Sequence, residues 1–153
     1  MNPGRLHAAA GPQLSARELH DLLALRIDVF VVEQDCPYRE IDGQDLHPGT
    51  EHLWFADDNG VTATVRILTE ADGLRRIGRV TTRRDRRSEG LAGRLMQAAI
   101  ERVSPATVVL AAQSHLAAWY QRFGFAVEGA EFLEDGIPHV PMRRPAGAGS
   151  RGS

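Results

Sequence analysis

A chain of 153 residues, 42% hydrophobic and 25% charged, is typical of one globular domain with a single core, and no apolar run approaches the roughly 18 residues of a membrane span. The N-terminus lacks the apolar stretch of a secretion signal, and the lone Cys36 allows no internal disulfide, so we predict a cytoplasmic protein. The net charge of -2 argues against general nucleic-acid binding, and the complete absence of lysine excludes Schiff-base catalysis and the phosphate loop of nucleotide hydrolases.

The first predicted element is a helix near residues 16–27. Ser15 and Glu18 form a capping-box pattern, and apolar residues then recur at helical spacing. Residues 35–49, rich in proline, glycine and aspartate, are typical of a loop.

Three strands are predicted next. Two strand-like runs within residues 52–68 are joined through Asn59-Gly60, the strongest short hairpin signal in a sequence. A turn at residues 71–73 leads into a third candidate strand at residues 74–82. We therefore expect three consecutive antiparallel strands.

The C-terminal half alternates helices and strands. Residues 93–103 have one apolar face and predict a helix packed on the sheet, and residues 107–112 predict a strand buried on both faces. A second helix, starting at His115, is expected to stop at Gly124, with extended chain resuming directly after it. The prolines in residues 138–144 favour an edge strand.

These elements suggest a simple domain organisation. We predict an N-terminal segment at residues 1–13, one domain at residues 14–144, and a disordered tail of small and polar residues at 145–153.

A glycine-containing turn stands between the third strand and the following helix, in the sequence RRSEGLAGRLM at residues 86–96. Gly90 and Gly93 let the main chain approach a ligand, and Arg87 adds positive charge. The first amides of a helix lack intrahelical partners, and the helix dipole favours anions there. The pattern indicates a diphosphate site, with a simple tight turn as the alternative. The GxGxxG order of dinucleotide-binding folds is absent.

Charge is unevenly distributed along the chain. Residues 33–51 contain six acidic residues against one arginine, and residues 75–94 contain eight arginines against two acidic residues. We expect the first segment to attract cations and the second to attract anions, unless both are simply solvated loops.

Four segments carry a family resemblance. The sequence RSEGLA at residues 87–92 resembles the R/Q-x-x-G-x-G/A signature of the GNAT superfamily of N-acetyltransferases, with Ala92 as the permitted alanine. The sequence WYQRFGF at residues 119–125 resembles that superfamily's second marker, a helical tyrosine followed by a Gly-Phe pair. Residues 25–45 and 134–142 resemble the ElaA-like branch. The similarity extends over about residues 14–144.

The resemblance implies an α/β (α+β) fold, with a mixed, mostly antiparallel central sheet and helices on both faces, and acetyl-CoA as cosubstrate. It implies that Val80 and Thr82 offer main-chain groups to the pantetheine arm and the thioester carbonyl, with Arg87 at the entry to the pyrophosphate site. Main-chain amides would hold the pyrophosphate at Ser88, Glu89, Gly90, Leu91, Ala92 and Gly93. Candidates for the ribose phosphate are Arg83, Arg84 and Arg86.

The resemblance also assigns catalytic roles. Tyr120 matches the family tyrosine that protonates the departing thiolate. An amine acceptor is protonated near neutral pH, so a base is needed, and the residues we would test are Glu33, His52 and His139. A water relay without an essential base is the alternative. No metal site is predicted, because His47 and His52 have no nearby cysteines.

The expected reaction is direct acetyl transfer, in a ternary complex, to a primary amine of a small molecule or peptide. A ping-pong route through Cys36 is the less favoured mechanism, since most lone cysteines are buried and inert. The acidic segment makes a cationic acceptor reasonable, and a homodimer is compatible with the sequence. The alternative function is a non-catalytic acyl-CoA-binding or sensing module. Nucleic-acid binding is not expected, because the arginine-rich segment lacks interleaved aromatic residues.

Overall fold

The computed structural model describes residues 4–147. The elements in chain order are β1 (His7–Ala10), α1 (Ala16–Arg26), β2 (Glu51–Asp57), β3 (Gly60–Thr69), β4 (Arg75–Thr82), α2 (Leu91–Val103), β5 (Val108–Gln113), α3 (Ala117–Gln121), β6 (Ala126–Val127), β7 (Phe132–Glu134) and β8 (Ile137–Arg144). A π-helical segment, Ile27–Glu33, continues α1. Within residues 4–147, no helix combines the length and apolar character that crossing a membrane requires.

All eight strands belong to one sheet. Its order is β1-β2-β3-β4-β5-β8-β6, and β7 also pairs with β8. Every pairing is antiparallel except that between β4 and β5, which is parallel. The hairpin through Asn59-Gly60 and the three consecutive antiparallel strands are confirmed. The predicted mixed, mostly antiparallel sheet is confirmed as well.

Helices cover both faces of this sheet, as predicted. On β2, the buried Leu53 and Phe55 belong to the core under α2, whereas Trp54 packs with Leu22 of α1 on the other side. The alternation follows from the two-residue period of a strand. Burial of α2 is deepest at Leu95, Met96 and Ala99, which have no exposed surface. Apolar surface removed from water on both faces thus fixes the positions of α1 and α2.

The capping box of α1 is present. Ser15 Oγ accepts a hydrogen bond of 3.0 Å from the Glu18 amide, and Glu18 Oε1 accepts one of 2.9 Å from the Ser15 amide. The α-helix ends at Arg26, one residue before the predicted end, because the backbone widens there into the π-helical segment.

The helix predicted to start at His115 is shorter than expected. Its first residues form a 3-10 turn, Ser114–Leu116, and α-helical geometry is limited to α3. The helix ends at Gln121, three residues before the predicted end, and hydrogen-bonded turns lead to Gly124, whose φ of +93° is readily adopted by glycine.

The prediction that β8 is an edge strand is wrong. β8 pairs with β5 on one side and with β6 and β7 on the other. Its prolines are tolerated because the outer neighbour is split into two short strands. The carbonyl of Pro141 accepts a hydrogen bond of 2.9 Å from the Glu128 amide beside β6. A residue's amide and carbonyl point to the same neighbour in an antiparallel strand, so the missing amide of Pro141 faces the gap between β6 and β7.

The chain outside the predicted domain is only partly described. β1 lies within residues 1–13 and pairs antiparallel with β2, so that segment supplies a strand of the same sheet. The predicted disordered tail falls mainly on residues 148–153, which lie outside the described residues. At its start, the Gly147 amide donates to the Pro105 carbonyl at 2.8 Å.

Candidate active site

The two parallel strands β4 and β5 diverge and leave an opening in the sheet. They pair at Arg75 with Val108 and at Arg76 with Val109, but β4 continues to Thr82 and β5 to Gln113. From Ile77 onward, the side of β4 that faces β5 therefore has no strand partner. A cavity of about 310 Å³, lined by residues of both strands, occupies this opening.

A β-bulge shapes β4 beside the cavity. Thr64 of β3 pairs with Thr81 and Arg66 pairs with Gly78, so two residues of β4, Arg79 and Val80, stand opposite one residue of β3. Arg79 has a φ of +51°, which is uncommon for a residue with a side chain. Val80, predicted to bind coenzyme, lines the cavity.

Arg79 is held in this conformation by the loop between the π-helical segment and β2. Its Nε donates to Glu40 Oε2 at 2.8 Å, and its Nη2 donates to Asp42 Oδ2 at 3.3 Å. Its guanidinium also lies 5.6 Å from the centroid of the Tyr38 ring, within the range of a cation–π contact. A strained backbone conformation persists when several surrounding contacts hold it, and here the contacts with the loop hold Arg79.

Behind Arg79 lies a buried cluster of charged groups. Arg26, 1% exposed, donates to Glu40 Oε2 at 2.5 Å and to Asp45 Oδ1 at 2.7 Å. Burial by itself raises the pKa of Asp45, but the hydrogen bonds and charges of Arg26 and Arg66 outweigh it and hold this pKa below its ordinary value. Removing one partner of such a buried ion pair leaves an uncompensated buried charge and strongly destabilises the folded protein.

Most charges of the two charge-rich segments are already held in ion pairs, some of which join one segment to the other. Five of the six acidic residues in the first segment form ion pairs with arginines; they are Glu33, Glu40, Asp42, Asp45 and Glu51. Six of the eight arginines in the second segment are paired likewise; they are Arg75, Arg76, Arg79, Arg83, Arg86 and Arg87. Most of these charges are therefore already neutralised, and the expectation that the segments attract external ions stays a prediction that depends on the charges left over.

Tyr120 and His139, two of the catalytic candidates, line the same cavity. Tyr120 is 8% exposed, and its hydroxyl has no hydrogen-bond partner within residues 4–147. Burial raises the pKa of Tyr120 to about 12, so the phenol carries its proton at neutral pH. The ring packs edge-on against Phe125 at 6.5 Å, which fixes its orientation.

His139 presents a nitrogen lone pair to this cavity. Its Nδ1 lies 2.7 Å from the carbonyl oxygen of Ile137. A carbonyl can only accept, so we assign the proton to Nδ1 and leave Nε2 as an acceptor. The nearest carboxylate, Glu134, is 3.8 Å from Nε2, which is beyond hydrogen-bond distance. The imidazole stacks on Phe132 at 5.9 Å and has a side-chain exposure of 10%.

The other two base candidates lie outside this cavity. Glu33 forms a two-pronged ion pair with Arg87 at 2.6 and 2.8 Å, and those hydrogen bonds lower the pKa of Glu33. His52 is 1% exposed, and its Nε2–H donates a hydrogen bond of 2.9 Å to the Asp45 carbonyl. Burial lowers the pKa of His52.

Cys36 is buried and also lines the cavity. Its Sγ donates to the Asp135 carbonyl at 3.3 Å, so the thiol links the two walls of the cavity. Among the described residues, no group of three or more histidine, cysteine, aspartate or glutamate side chains is arranged to hold a metal ion.

The glycine turn forms the N-terminus of α2. Gly90 is the N-cap residue, with a φ of +80°, and a Cβ built there would meet nothing within 4 Å. The first backbone hydrogen bond of the helix runs from the Arg94 amide to the Gly90 carbonyl at 3.1 Å. The amides of Leu91, Ala92 and Gly93 therefore have no acceptor within residues 4–147. Ser88, with a φ of +71°, precedes them on an exposed turn.

Most arginines around this turn are already paired. Arg83 binds Asp57 and Asp85, which raises its pKa, and Arg86 binds Glu89 and Asp57. Arg87 Nε additionally donates to the Thr82 carbonyl at 3.1 Å. Arg84 and Arg94 are exposed and make no ion pair within the described part of the chain. Of the three arginines predicted for a ribose phosphate, the geometry thus favours Arg84.

Sequence reasoning missed two groups of residues. The contacts of Arg79 with Tyr38, Glu40 and Asp42 were signalled only by the complementary charge of the two segments. The carboxylates of Glu134 and Asp135 line the cavity beside His139. They stand within a segment that the sequence singles out, but nothing in that segment indicates which way they face.

Comparison with known proteins defines the class. A family model described as the acetyltransferase (GNAT) domain matches residues 19–145. The chain belongs to the GNAT acetyltransferase family, as its motifs predicted.

Particular relatives fall in the predicted branch. Protein ElaA of Escherichia coli is 41% identical over 138 residues, covering 86% of this chain and 90% of that protein. The crystal structure of Escherichia coli ElaA matches with a TM-score of 0.86 over 92% of this chain and 98% of that one. A UPF0039 protein of Mycobacterium tuberculosis is 49% identical over 136 residues, covering 86% of this chain and 87% of its own length.

A second solved structure is an acyl-CoA N-acyltransferase from Pseudomonas aeruginosa. It is 40% identical, with a TM-score of 0.88 over 92% of this chain and 98% of that one. The likeness to an ElaA-like GNAT protein is thus confirmed over nearly all of the described chain.

Proposed function

We propose that this protein is an acetyl-CoA-dependent N-acetyltransferase that acetylates a primary amine of a small molecule or peptide by direct transfer in a ternary complex. The observation that carries the proposal is the meeting of Tyr120 and His139 in one cavity between the diverging strands β4 and β5. A protonated phenol and an imidazole lone pair are the acid and the base that this reaction needs.

The residues at the start of α2 suit an anionic coenzyme. Unpaired amides at Leu91, Ala92 and Gly93, together with open space over Gly90, support a pyrophosphate at this helix end. We assign further main-chain contacts to Ser88 and Glu89, with Arg87 at the entry.

The unpaired side of β4 suits the rest of the coenzyme. We assign the pantetheine arm and the thioester carbonyl to main-chain groups of Val80 and Thr82, because β4 has no strand partner there. A main-chain amide directed at the thioester oxygen would stabilise the negative charge that develops on it.

The reaction requires the acceptor nitrogen to lose two protons and the departing thiolate to gain one. Bound acetyl-CoA supplies an acetyl group activated as a thioester. His139 Nε2 accepts one proton from the acceptor's ammonium group and passes it to solvent, leaving a neutral amine that attacks the thioester carbon. The C–N bond forms and the C–S bond breaks, while Tyr120 protonates the departing thiolate. The second proton lost by the nitrogen restores the phenol, so the products are an N-acetyl amine, CoA thiol and one proton.

Direct transfer is preferred over a route through Cys36. The Cys36 thiol is buried, and its proton is directed to the Asp135 carbonyl rather than to a base. Nucleophilic cysteines need a neighbour that favours the thiolate.

The test is CoA thiol release from acetyl-CoA across a panel of primary amines, with mass spectrometry of the products. We expect amine-dependent release and an acetylated amine. In His139→Gln, kcat should fall by about 100-fold or more while the affinity for CoA is preserved, as for loss of a general base. If acetyl-CoA binds but no amine is consumed, the protein is a coenzyme-binding module. If an acetyl adduct accumulates on Cys36, direct transfer is wrong. Parallel assays with propionyl-CoA would define the acyl preference.

A further inference from the structure

The charges that line the cavity differ in whether they are already paired. Asp42 binds Arg66 at 2.8 Å, and Arg79 binds both Asp42 and Glu40. Glu134 and Asp135 also line the cavity, and neither has an arginine partner within residues 4–147. The negative charge that remains for a ligand is therefore on the tip of the β7–β8 hairpin.

The hairpin tip is held in a defined position. Asp135 and Gly136, with φ angles of +52° and +79°, form the two-residue turn between the paired residues Glu134 and Ile137. The Cys36 thiol bonds to the Asp135 carbonyl and joins the tip to the opposite wall. Both carboxylates are exposed and thus accessible to a ligand entering the cavity.

An independent observation at the same place indicates a ligand. The His139 side chain is nine-tenths buried and His139 lines the cavity, while its Nε2, 3.8 Å from Glu134 Oε2, makes no hydrogen bond in the described part of the chain. The Nε2 atom is not itself fully buried, so a water molecule or a ligand that enters the cavity can donate a hydrogen bond to it. An alkylammonium group has N–H donors for this nitrogen and a positive charge for the neighbouring carboxylates.

We infer that Glu134, Asp135 and His139 form the acceptor subsite, and that it selects small alkyl ammonium compounds with no carboxylate next to the amine. An α-carboxylate would be brought close to two carboxylates that have no arginine partner within residues 4–147, and would be repelled. The cavity arginines do not offset this repulsion, because acids already neutralise Arg66, Arg76 and Arg79. A volume of about 310 Å³ lies at the small end of ligand sites.

This inference rests on the proposed function and names its substrate class. The test compares three acceptors that each carry one amine, namely leucine, its uncharged amide leucinamide, and its decarboxylated form 3-methylbutylamine. With wild-type protein, we expect kcat/KM for the amide and for the amine to exceed that for leucine by about tenfold or more. Leucinamide controls for size, since it differs from leucine in charge and hardly in shape.

The matched variant is the double substitution Glu134→Gln and Asp135→Asn. We expect the preference for leucinamide and 3-methylbutylamine over leucine to fall below about threefold, mainly through a higher KM for those two acceptors. The variant loses both the attraction of the two carboxylates for an ammonium group and their repulsion of the leucine carboxylate. Glu128→Gln removes a carboxylate that pairs with Arg143 and does not line the cavity, and it should leave the preference unchanged.

The outcomes separate the two proposals. If no amine is acetylated although acetyl-CoA binds, the proposed function fails. If the amines are acetylated but leucine is used as well as leucinamide, or the double variant keeps the wild-type preference, the acceptor subsite is overturned and the proposed function stands.

Discussion

Arg79 and Glu40, 39 residues apart, meet through a hydrogen bond of 2.8 Å that joins the bulge of β4 to the loop before β2. The contact connects a residue in left-handed backbone conformation with a carboxylate that is 3% exposed. Because Val80 follows Arg79 in the bulge, this ion pair positions the main chain assigned to the thioester. It acts on catalysis only through that placement.

Replacing Arg79 by Ala should therefore reduce both stability and turnover. We expect a loss of about 1–3 kcal/mol in the free energy of unfolding, since Glu40 would keep Arg26 and the Tyr38 hydroxyl as partners. The drop in kcat should exceed the change in KM for acetyl-CoA. Urea denaturation and steady-state kinetics measure the two effects, and Arg79→Lys should recover part of the turnover. Wild-type kcat in Arg79→Ala would contradict the positioning role.

Gly90 tests the helix end as a phosphate site. Gly90→Ala has room for its Cβ and should cost about 1 kcal/mol from the positive φ alone, with CoA still bound. Gly90→Asp places a carboxylate at the same point and should weaken CoA binding by at least about 100-fold. Isothermal titration calorimetry on both variants separates backbone strain from charge. Equal affinities for the two variants would refute the phosphate site.

Tyr120→Phe tests the proposed acid. The hydroxyl has no hydrogen bond to the described residues, so its removal should hardly change the free energy of unfolding. Turnover should fall by about 100-fold or more, because the thiolate then leaves without a proton donor. CoA affinity should stay within about twofold of wild type, since a phenyl ring keeps the packing. Kinetics and calorimetry check both, and unchanged kcat would remove Tyr120 from the mechanism.

Glu33→Gln tests the state of Arg87. Loss of the carboxylate frees a guanidinium at the mouth of the pyrophosphate site, so CoA should bind several-fold more tightly at low ionic strength. The gain should shrink with added salt, as expected for an exposed charge. Glu128→Gln, which removes a carboxylate paired with Arg143, is the matched control. Weaker binding in Glu33→Gln would show that the intact ion pair supports the site.

His52 makes stability depend on pH. Burial lowers the pKa of His52 from its ordinary value of 6.5, so the unfolded chain takes up a proton near that pH before the folded chain does. Stability should therefore decrease as the pH falls below 6.5, by at most about 1.4 kcal/mol per pH unit, until the folded-state pKa is reached. His52→Gln keeps a side-chain donor for the Asp45 carbonyl and should flatten this decrease between pH 7 and pH 5.

A second loss should follow at lower pH. The pKa of Asp45 is depressed in the folded state, so its stabilising contribution is complete above an unfolded pKa of about 3.9 and disappears as the pH falls through the folded value. Urea denaturation from pH 7 to pH 3 measures the first phase and the onset of the second. His20→Gln, at an exposed position, is the control for the first phase. An unchanged slope in His52→Gln would contradict the assignment.

Local pattern was sufficient for several elements. The capping box at Ser15, the hairpin through Asn59-Gly60 and the apolar face of α2 each depend on residues close together in the chain. Short-range hydrogen bonds and burial periodicity decide such elements, so neighbouring residues contain the needed information. The wrong prediction for β8 has the opposite origin, because its place in the sheet depends on pairing with β5 and β6, which lie further away in the chain.

The sequence by itself determined α1, α2, the strands β2 to β5, the glycine turn before α2 and the family motifs, because each rests on spacing over a few residues. Only the tertiary structure decided which charges of the acidic and arginine-rich segments are paired, and that Glu134 and Asp135 line the cavity without an arginine partner within residues 4–147. Ion pairs such as that between Glu33 and Arg87 span 54 positions in the chain. Electrostatic interactions depend on distance in space, and the folding of the sheet brings these groups together.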